Sequence, residues 1–385
     1  MRVIGLTGNI CSGKSTVSKF LADLGAVVLS ADKIGHEALA PHTETWREVV
    51  GTFGERILNM EGNVDRQKLG EIVYHNAEDL ARLNRIMHPV MYRIAEKEIK
   101  ELKKQGAEII VLEAPLLVEA GWLPLVDQVW VTVANESTML YRCCQRSGLS
   151  EDQVLARIRS QIPAEEKTKY ADVVIDTDCS LSAVEVKVKG LWEVLHTEVV
   201  KEKIRQVLSR REKKTIKNEG LTSAAVLIPI YEKGGEYYLV VTRRTEEVND
   251  HKGQISFPGG GWQKGDETLR DTALRESCEE IGLNPKDVEI LGELDDIVTT
   301  TTNYIISPFV AAVPYPHEFR ASPREVEEII EVPISALLAE NNYRERLEFR
   351  QGKPVFDYSY EYEGRVIWGA TARILKRFLE LVFGS

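Results

Sequence analysis

The chain has 385 residues, 43% hydrophobic and 28% charged, which suits a globular protein with material for two cores rather than one. Its net charge of −11 argues against general nucleic-acid or membrane-surface binding, while leaving room for small anionic ligands in a local positive pocket. Five cysteines without metal-ligand spacing imply reduced thiols and a cytoplasmic setting, and no apolar run approaches the length of about 20 residues that crosses a bilayer.

The opening apolar run, residues 3–6, is too short for a leader and feeds straight into a glycine-containing loop. It reads as a buried first strand. Further strands are predicted at 26–29, 109–112, 129–133 and 173–175; continuous rather than alternating, they suit a parallel sheet covered on both faces. Residues 34–104 are rich in helix formers and read as helices inserted beside that sheet. A charged stretch between 195 and 220, including Arg210-Arg211-Glu212-Lys213-Lys214, reads as a solvated helix face or linker. It divides the expected domains, 1–198 and 199–385. Beyond it, 224–231 and 237–242 read as strands joined by a turn at Gly234-Gly235.

Gly8-Asn9-Ile10-Cys11-Ser12-Gly13-Lys14-Ser15 fits G-x-x-x-x-G-K-[ST] between a predicted strand and a predicted helix. In such a loop, continued here by Thr16, backbone N–H groups wrap nucleotide phosphates and the helix N-terminus adds its dipole. Lys14 is the candidate for the β- and γ-phosphates of ATP, and the Ser15 hydroxyl for Mg²⁺. Cys11 lies where amides and Lys14 favour an anion, which predicts a lowered thiol pKa; a small, tolerated loop residue is the alternative. The loop marks nucleotide binding without identifying the phosphoryl acceptor.

Around the loop, Ser30-Ala31-Asp32, Asp65-Arg66 with Leu69, His88-Pro89 and Pro115-Leu116-Leu117 with Glu119 follow in order. Arg142 and Arg146, Arg157 with Gln161, and Lys167 before Ala171-Asp172 continue the series. It resembles dephospho-CoA kinase over roughly residues 1–195, which implies transfer of the ATP γ-phosphate to the ribose 3′-hydroxyl of dephospho-CoA. The resemblance implies that Asp32 orients or deprotonates that hydroxyl, with a helix N-cap before Lys33 as the competing role. It also implies a lid carrying Arg142 and Arg146, one turn apart and able to face the same phosphates, although arginines so spaced also decorate solvated helices. Glu113, ending the third strand, stands where a water-mediated Mg²⁺ ligand is expected, and His88 is expected to be structural. Asn9, Ser30, Glu113, Met139 and Thr177 depart from the family's usual Gly, Asp, Asp, Gln and adenine-contacting Asn.

In the second half, Gly261, Glu267 and Arg275-Glu276-Ser277-Cys278-Glu279-Glu280-Ile281-Gly282-Leu283 reproduce the Nudix pattern G-x5-E-x7-R-E-U-x-E-E-x-G-U, with Ser277 replacing an aliphatic residue. At i, i+3 and i+4 of a helix, Glu276, Glu279 and Glu280 are expected to share a face, a repulsive arrangement that Mg²⁺ or Mn²⁺ resolves. An acidic solvated helix is the alternative. Val240-Val241-Thr242 with Arg244, Gly253 and Phe257-Pro258-Gly259-Gly260 resemble the additional motif of CoA-cleaving Nudix enzymes, with Asn249 where that motif carries Arg. The resemblance implies cleavage of the CoA pyrophosphate, with Glu327 or Glu328 either supplying the base or standing as surface charge.

The expected protein is α/β: a P-loop kinase domain with a parallel sheet, helical insert and lid, then an α/β/α Nudix domain with a mixed sheet. It would be bifunctional, phosphorylating dephospho-CoA with ATP and Mg²⁺ and cleaving CoA or CoA derivatives with Mg²⁺ or Mn²⁺. Neither nucleic acid nor membrane is expected among its partners, and homo-oligomerisation stays open. The alternatives are a kinase half that senses nucleotide or CoA, and a Nudix half acting on another nucleoside diphosphate derivative.

Overall fold

In the computed structural model, which describes residues 1–73, 76–147, 150–218, 220–245, 253–299, 303–350 and 353–384, the chain divides into two compact units, Met1–Leu195 and His196–Ser385. The first unit runs β1 (Arg2–Gly8), α1 (Lys14–Asp23), β2 (Val27–Ser30), α2 (Ala31–Ala38), α3 (Glu44–Phe53), α4 (Arg66–Val73) and α5 (Ala77–Lys104). It continues through β3 (Ile109–Glu113), β4 (Gln128–Val133), α6 (Glu136–Ser147), α7 (Glu151–Arg159), α8 (Ala164–Thr168) and β5 (Val173–Asp176). The strands pair in parallel, in the order β2-β3-β1-β4-β5. Ile4, Leu6, Ile110, Leu112 and Val131 are sealed from solvent, as continuous apolar strands must be when both faces are covered. The carboxyl ends of β1, β2 and β3 open into one crevice, so the phosphate loop, Ser30 and Glu113 converge there. Helices α2 to α5 form the expected insert and hold their own apolar cluster, including Val49, Phe53, Leu69 and Met87.

Helix α9 (Leu181–Ser209) begins in the first unit and ends in the second, where Val200, Ile204 and Leu208 enter the core. There follow β6 (Thr222–Lys233), β7 (Glu236–Arg244), β8 (Ile255–Ser256), β9 (Gly259–Gly261), α10 (Leu269–Ile281), β10 (Glu289–Glu293), β11 (Ile297–Val298) and β12 (Tyr304–Ala312). The chain closes with β13 (Val326–Pro333), α11 (Ile334–Leu338), β14 (Tyr343–Arg350), β15 (Lys353–Tyr362), β16 (Arg365–Trp368) and α12 (Gly369–Phe383). The main sheet, β10-β12-β6-β7-β13, is mixed, because β12 lies parallel to β6 while the other pairs are antiparallel. Strand β6 shows the two-residue alternation of a sheet buried on both faces. Val226, Ile228 and Ile230 pack towards α9 and α12, and Ala225, Leu227 and Tyr231 towards α10.

The charged stretch after α9 differs from the expected linker. Arg211 binds Asp295 at 2.5 Å and the Glu293 carbonyl at 2.6 Å, and Lys213 binds Glu293 at 2.7 Å and Asp296 at 3.1 Å. The amides of Lys214 and Ile216 donate to Asp295 and Asp296, so Arg211, Lys213 and the backbone beyond them are tied to the acidic turn at the end of β10. Arg377 of α12 also reaches Asp295, at 3.2 Å. Removing Asp295 leaves two guanidinium groups without their shared partner, and Asp295→Ala is expected to destabilise the second unit by about 2 kcal/mol. A lower urea midpoint for the second unit's transition, with that of the first unit unchanged, checks this. Among the described residues no helix is long and apolar enough to cross a membrane.

Candidate active sites

The phosphate loop leaves β1 and enters α1 through Gly13, which has φ 90° and would place a Cβ 2.9 Å from the Thr177 side chain. Only glycine meets both conditions without strain. Lys14, 7% exposed, donates from Nζ to the Gly8 carbonyl at 3.0 Å and the Asn9 carbonyl at 2.9 Å. Burial, followed by the nearby Lys167 charge, lowers the Lys14 pKa to about 8, with Glu113 and Asp32 pulling the other way and Arg146 adding to the lowering. The Ser15 hydroxyl donates to Glu113 Oε1 at 2.9 Å, which brings the two expected Mg²⁺-site residues into contact. Two oxygen donors at the carboxyl edge of the sheet fit a hard divalent cation, and this is what the chain offers one in the first unit.

Asp32 lies in the first turn of α2 and is exposed; Ser30 occupies the N-cap position, so the competing capping role does not apply to Asp32. The Asp32 carbonyl accepts from Arg66 at 3.3 Å and hydrogen-bonds the His36 ring at 2.7 Å, leaving the carboxylate outside both contacts. Arg142 departs from the expectation of two arginines facing one ligand. It donates to the Thr177 hydroxyl at 3.0 Å and the Thr177 carbonyl at 2.7 Å, while Arg146 is exposed. Thr177 in turn donates to the Ser12 carbonyl at 2.9 Å, which ties Arg142 to the phosphate loop through one hydroxyl. Gln161 and Lys167 also acquire definite contacts. Gln161 accepts from the Ile10 amide at 2.8 Å, and the fully buried Lys167 binds the Pro115 carbonyl at 2.7 Å and Glu119 at 3.0 Å.

The expected free thiol at Cys11 is corrected. Cys11 is bonded to Cys143 of α6, with a Cα–Cα separation of 5.7 Å, while Cys144, Cys179 and Cys278 remain thiols. Met139, Cys143, Val154 and Ile158 form a small apolar cluster against which Ile10 and Cys11 pack, and this contact brings the sulfurs together. A separation of 132 residues hides such a pairing from sequence spacing.

In the second unit, α10 starts in a capping box between Thr268 and Asp271 and stops at Gly282, whose φ of 74° ends the helix. Arg275 organises the motif. It grips Asp266 with two bonds of 3.0 and 3.1 Å, holds Glu276 at 2.7 Å and reaches the Gly261 carbonyl at 3.2 Å. Its guanidinium holds Asp266 down to about pKa 2. A Cβ at Gly260 would lie 2.6 Å from the Glu276 carboxylate, so a larger residue there would displace that side chain.

The three helical glutamates do not share one position. Glu276 and Glu280 are 8% and 2% exposed and join Glu325, with one oxygen of each within 4.8 Å of the others. Glu279 is exposed, outside the cluster, and bound to Arg275 at 3.2 Å. The helix explains the split: at about 100° per residue, positions i and i+4 diverge by about 40°, but i+3 and i+4 by about 100°. Burial pushes Glu280 up to about 8, against Arg244 at 3.6 Å and the Gly259 amide at 3.2 Å. Burial also raises Glu276. Three carboxylates gathered within 4.8 Å, served by Arg244 and by an Arg275 that is shared with Asp266 and Glu279, fit a divalent metal, whose charge would offset both the repulsion and the desolvation.

Glu325 is the residue that sequence reasoning did not single out. The Ser322 amide donates to the Glu280 carbonyl at 2.9 Å and the Thr245 amide to the Glu325 carbonyl at 3.1 Å, so the chain before β13 is laid over α10. Its only signal was membership of the acidic run 325–328. Glu328 is not placed as a base: Arg365 at 2.5 Å and Arg243 at 2.8 Å hold it, and Arg365 lowers its pKa. Glu327 is exposed, 3.5 Å from Arg243 and outside the cluster. Asn249 lies outside the described residues.

Comparison with known proteins matches both halves. Residues 2–183 fit the family model of dephospho-CoA kinase, and residues 221–351 that of the NUDIX domain. The dephospho-CoA kinase of Carboxydothermus hydrogenoformans is 48% identical over 181 residues, which cover 47% of this chain and 88% of that protein. That of Geobacter sulfurreducens is 41% identical over 192 residues, covering 50% of this chain and 98% of the relative. A solved dephospho-CoA kinase from Campylobacter jejuni is 32% identical and covers 50% of this chain and 96% of its own, with a TM-score of 0.39. The chain therefore belongs to the dephospho-CoA kinase family through its first half and carries a NUDIX domain in its second, both of them families of enzymes.

Proposed function

We propose that this chain is a bifunctional cytoplasmic enzyme that phosphorylates the ribose 3′-hydroxyl of dephospho-CoA and hydrolyses the pyrophosphate of CoA or a CoA derivative. The observation that carries the reading is a charge-handling centre in each unit: Lys14 buried in its loop next to the Ser15–Glu113 pair, and the carboxylates of Glu276, Glu280 and Glu325. In the kinase half, Lys14 turns from the loop carbonyls to the nucleotide phosphates, and Asp32 orients the acceptor hydroxyl and takes its proton. Arg146 offsets charge on the transferring group and Arg142 steadies the loop through Thr177, while Ser15 and Glu113 would hold Mg²⁺. In the hydrolase half, Glu276, Glu280 and Glu325 would hold Mg²⁺ or Mn²⁺, with Glu279 at the rim, and Arg275 keeps Glu276 in place. A divalent cation held there would offset the negative charge of a pyrophosphate under attack.

The test is product analysis by chromatography on one preparation. Incubation with ATP, dephospho-CoA and Mg²⁺ is expected to yield CoA and ADP. Incubation of CoA, its disulfide or a thioester with Mg²⁺ or Mn²⁺ is expected to yield adenosine 3′,5′-bisphosphate and the phosphopantetheine fragment. A first incubation that yields neither CoA nor adenosine 3′,5′-bisphosphate removes the kinase reading. Cleavage of other nucleoside diphosphates but of no CoA species removes the substrate assignment alone.

A further inference from the structure

We propose that the Cys11–Cys143 pair is a thiol–disulfide exchange site through which small thiols and disulfides control nucleotide access to the phosphate loop. The bond joins two elements that act on the same ligand. Cys11 stands inside the loop with φ 58°, a left-handed conformation, and Cys143 sits on α6 between Arg142 and Arg146. The apolar cluster of Met139, Cys143, Val154 and Ile158 extends the attachment to α7, so the bond staples the loop to the helices expected to form its lid.

In the linked state Lys14 and part of the loop are held by the protein itself. Lys14 is spent on the Gly8 and Asn9 carbonyls, the Ile10 amide on Gln161, and the Asn9 side-chain amide on the Ile162 carbonyl at 3.3 Å. Phosphates compete for Lys14 and for loop amides, so binding requires the loop to leave this arrangement. A covalent tie at Cys11 opposes that movement, and the oxidised protein accordingly spends less time in the competent form. This inference rests on the kinase reading of the first unit.

The chemistry balances with a small thiol as co-reactant. A thiolate attacks the half-buried Cys11 sulfur, the Cys11–Cys143 bond breaks, and Cys143 leaves as a thiolate that takes a proton. A second thiol attacks the mixed disulfide, releasing Cys11 as a thiol and the small molecule as its disulfide. Two thiols are oxidised and one protein disulfide is reduced. The reverse sequence uses a small disulfide as oxidant. The acceptor of the proposed kinase reaction is itself a thiol, so the site would couple loop competence to the redox state of that thiol pool.

The experiment measures ADP affinity and phosphoryl transfer after equilibration of the full chain in reduced or oxidised dithiothreitol, and in CoA with CoA disulfide. Differential alkylation and mass spectrometry report the bond. Oxidation is expected to raise the ADP Kd about fivefold, reversibly. Cys143→Ser should bind ADP like the reduced parent in both buffers, and Cys144→Ser should respond like the parent. Formation of the bond without a change in ADP affinity overturns the proposal, as does a failure of Cys11 and Cys143 to pair under oxidation. If neither state transfers phosphate, the kinase reading fails, while the ADP comparison still decides the switch.

Discussion

Lys14→Ala is expected to lower phosphate transfer to dephospho-CoA about a thousandfold, to background, because the loop then has no cation at the transferring group. The contacts of Arg142 and Lys167 explain why neither takes its place. Arg142 is committed to Thr177 and Lys167 to Pro115 and Glu119, so neither moves into the vacated space without breaking its own bonds. Equal turnover in parent and variant would refute the role. The same lysine sets a pH dependence. Burial places its pKa at about 8, so it is charged below that pH and neutral above it. Bound phosphates favour the charged form, and ADP affinity is therefore expected to hold below about pH 8 and to fall above it, with proton uptake on binding. Lys14→Arg keeps its charge throughout and should show a flat ADP affinity from about pH 7 to 9.5, whatever its turnover. Calorimetric titration of both proteins checks the contrast.

Glu280→Gln is expected to lower CoA hydrolysis about a thousandfold while leaving dephospho-CoA phosphorylation unchanged. The substitution keeps size and helix preference, and the side chain lies in the second unit, whose core is its own. Burial holds the Glu280 carboxyl at about 8, so at neutral pH it is largely protonated until a cation displaces the proton. Cation affinity should strengthen by up to about tenfold per pH unit on approaching pH 8 from below and level off above it. In Glu280→Gln that slope should largely vanish. Titration with Mn²⁺ in buffers of different ionisation enthalpy counts the released protons directly. Undiminished hydrolysis in the variant, or an unchanged proton count, would remove Glu280 from the metal site.

The outcome for each residue depends on whether its partner is near in the chain. Phosphate-loop spacing, continuous apolar strands and the motif around Arg275 are local patterns, repeated at fixed offsets by backbone geometry. They identified the parallel sheet, the loop between β1 and α1, and Glu276 with Glu280 on a helix. Helical periodicity alone could not rank the three glutamates. The sheet decided that, by burying the face with Glu276 and Glu280 and leaving Glu279 to solvent and Arg275.

Long-range pairings were set by the tertiary structure. Glu325 reaches the cluster only because its loop hydrogen-bonds across α10, and Glu328 leaves the list of bases because β7 and β16 bring Arg243 and Arg365 to it. Charges on 210–214 read as a solvated run until the turn at 293–296 supplied matching carboxylates. The bond between Cys11 and Cys143 belongs to the same class. Sequence determined which chemical groups this protein carries and which lie on one turn or one strand. Packing of apolar faces determined which distant groups meet, because burial energy is non-directional in sequence and selects partners only after the layers have closed.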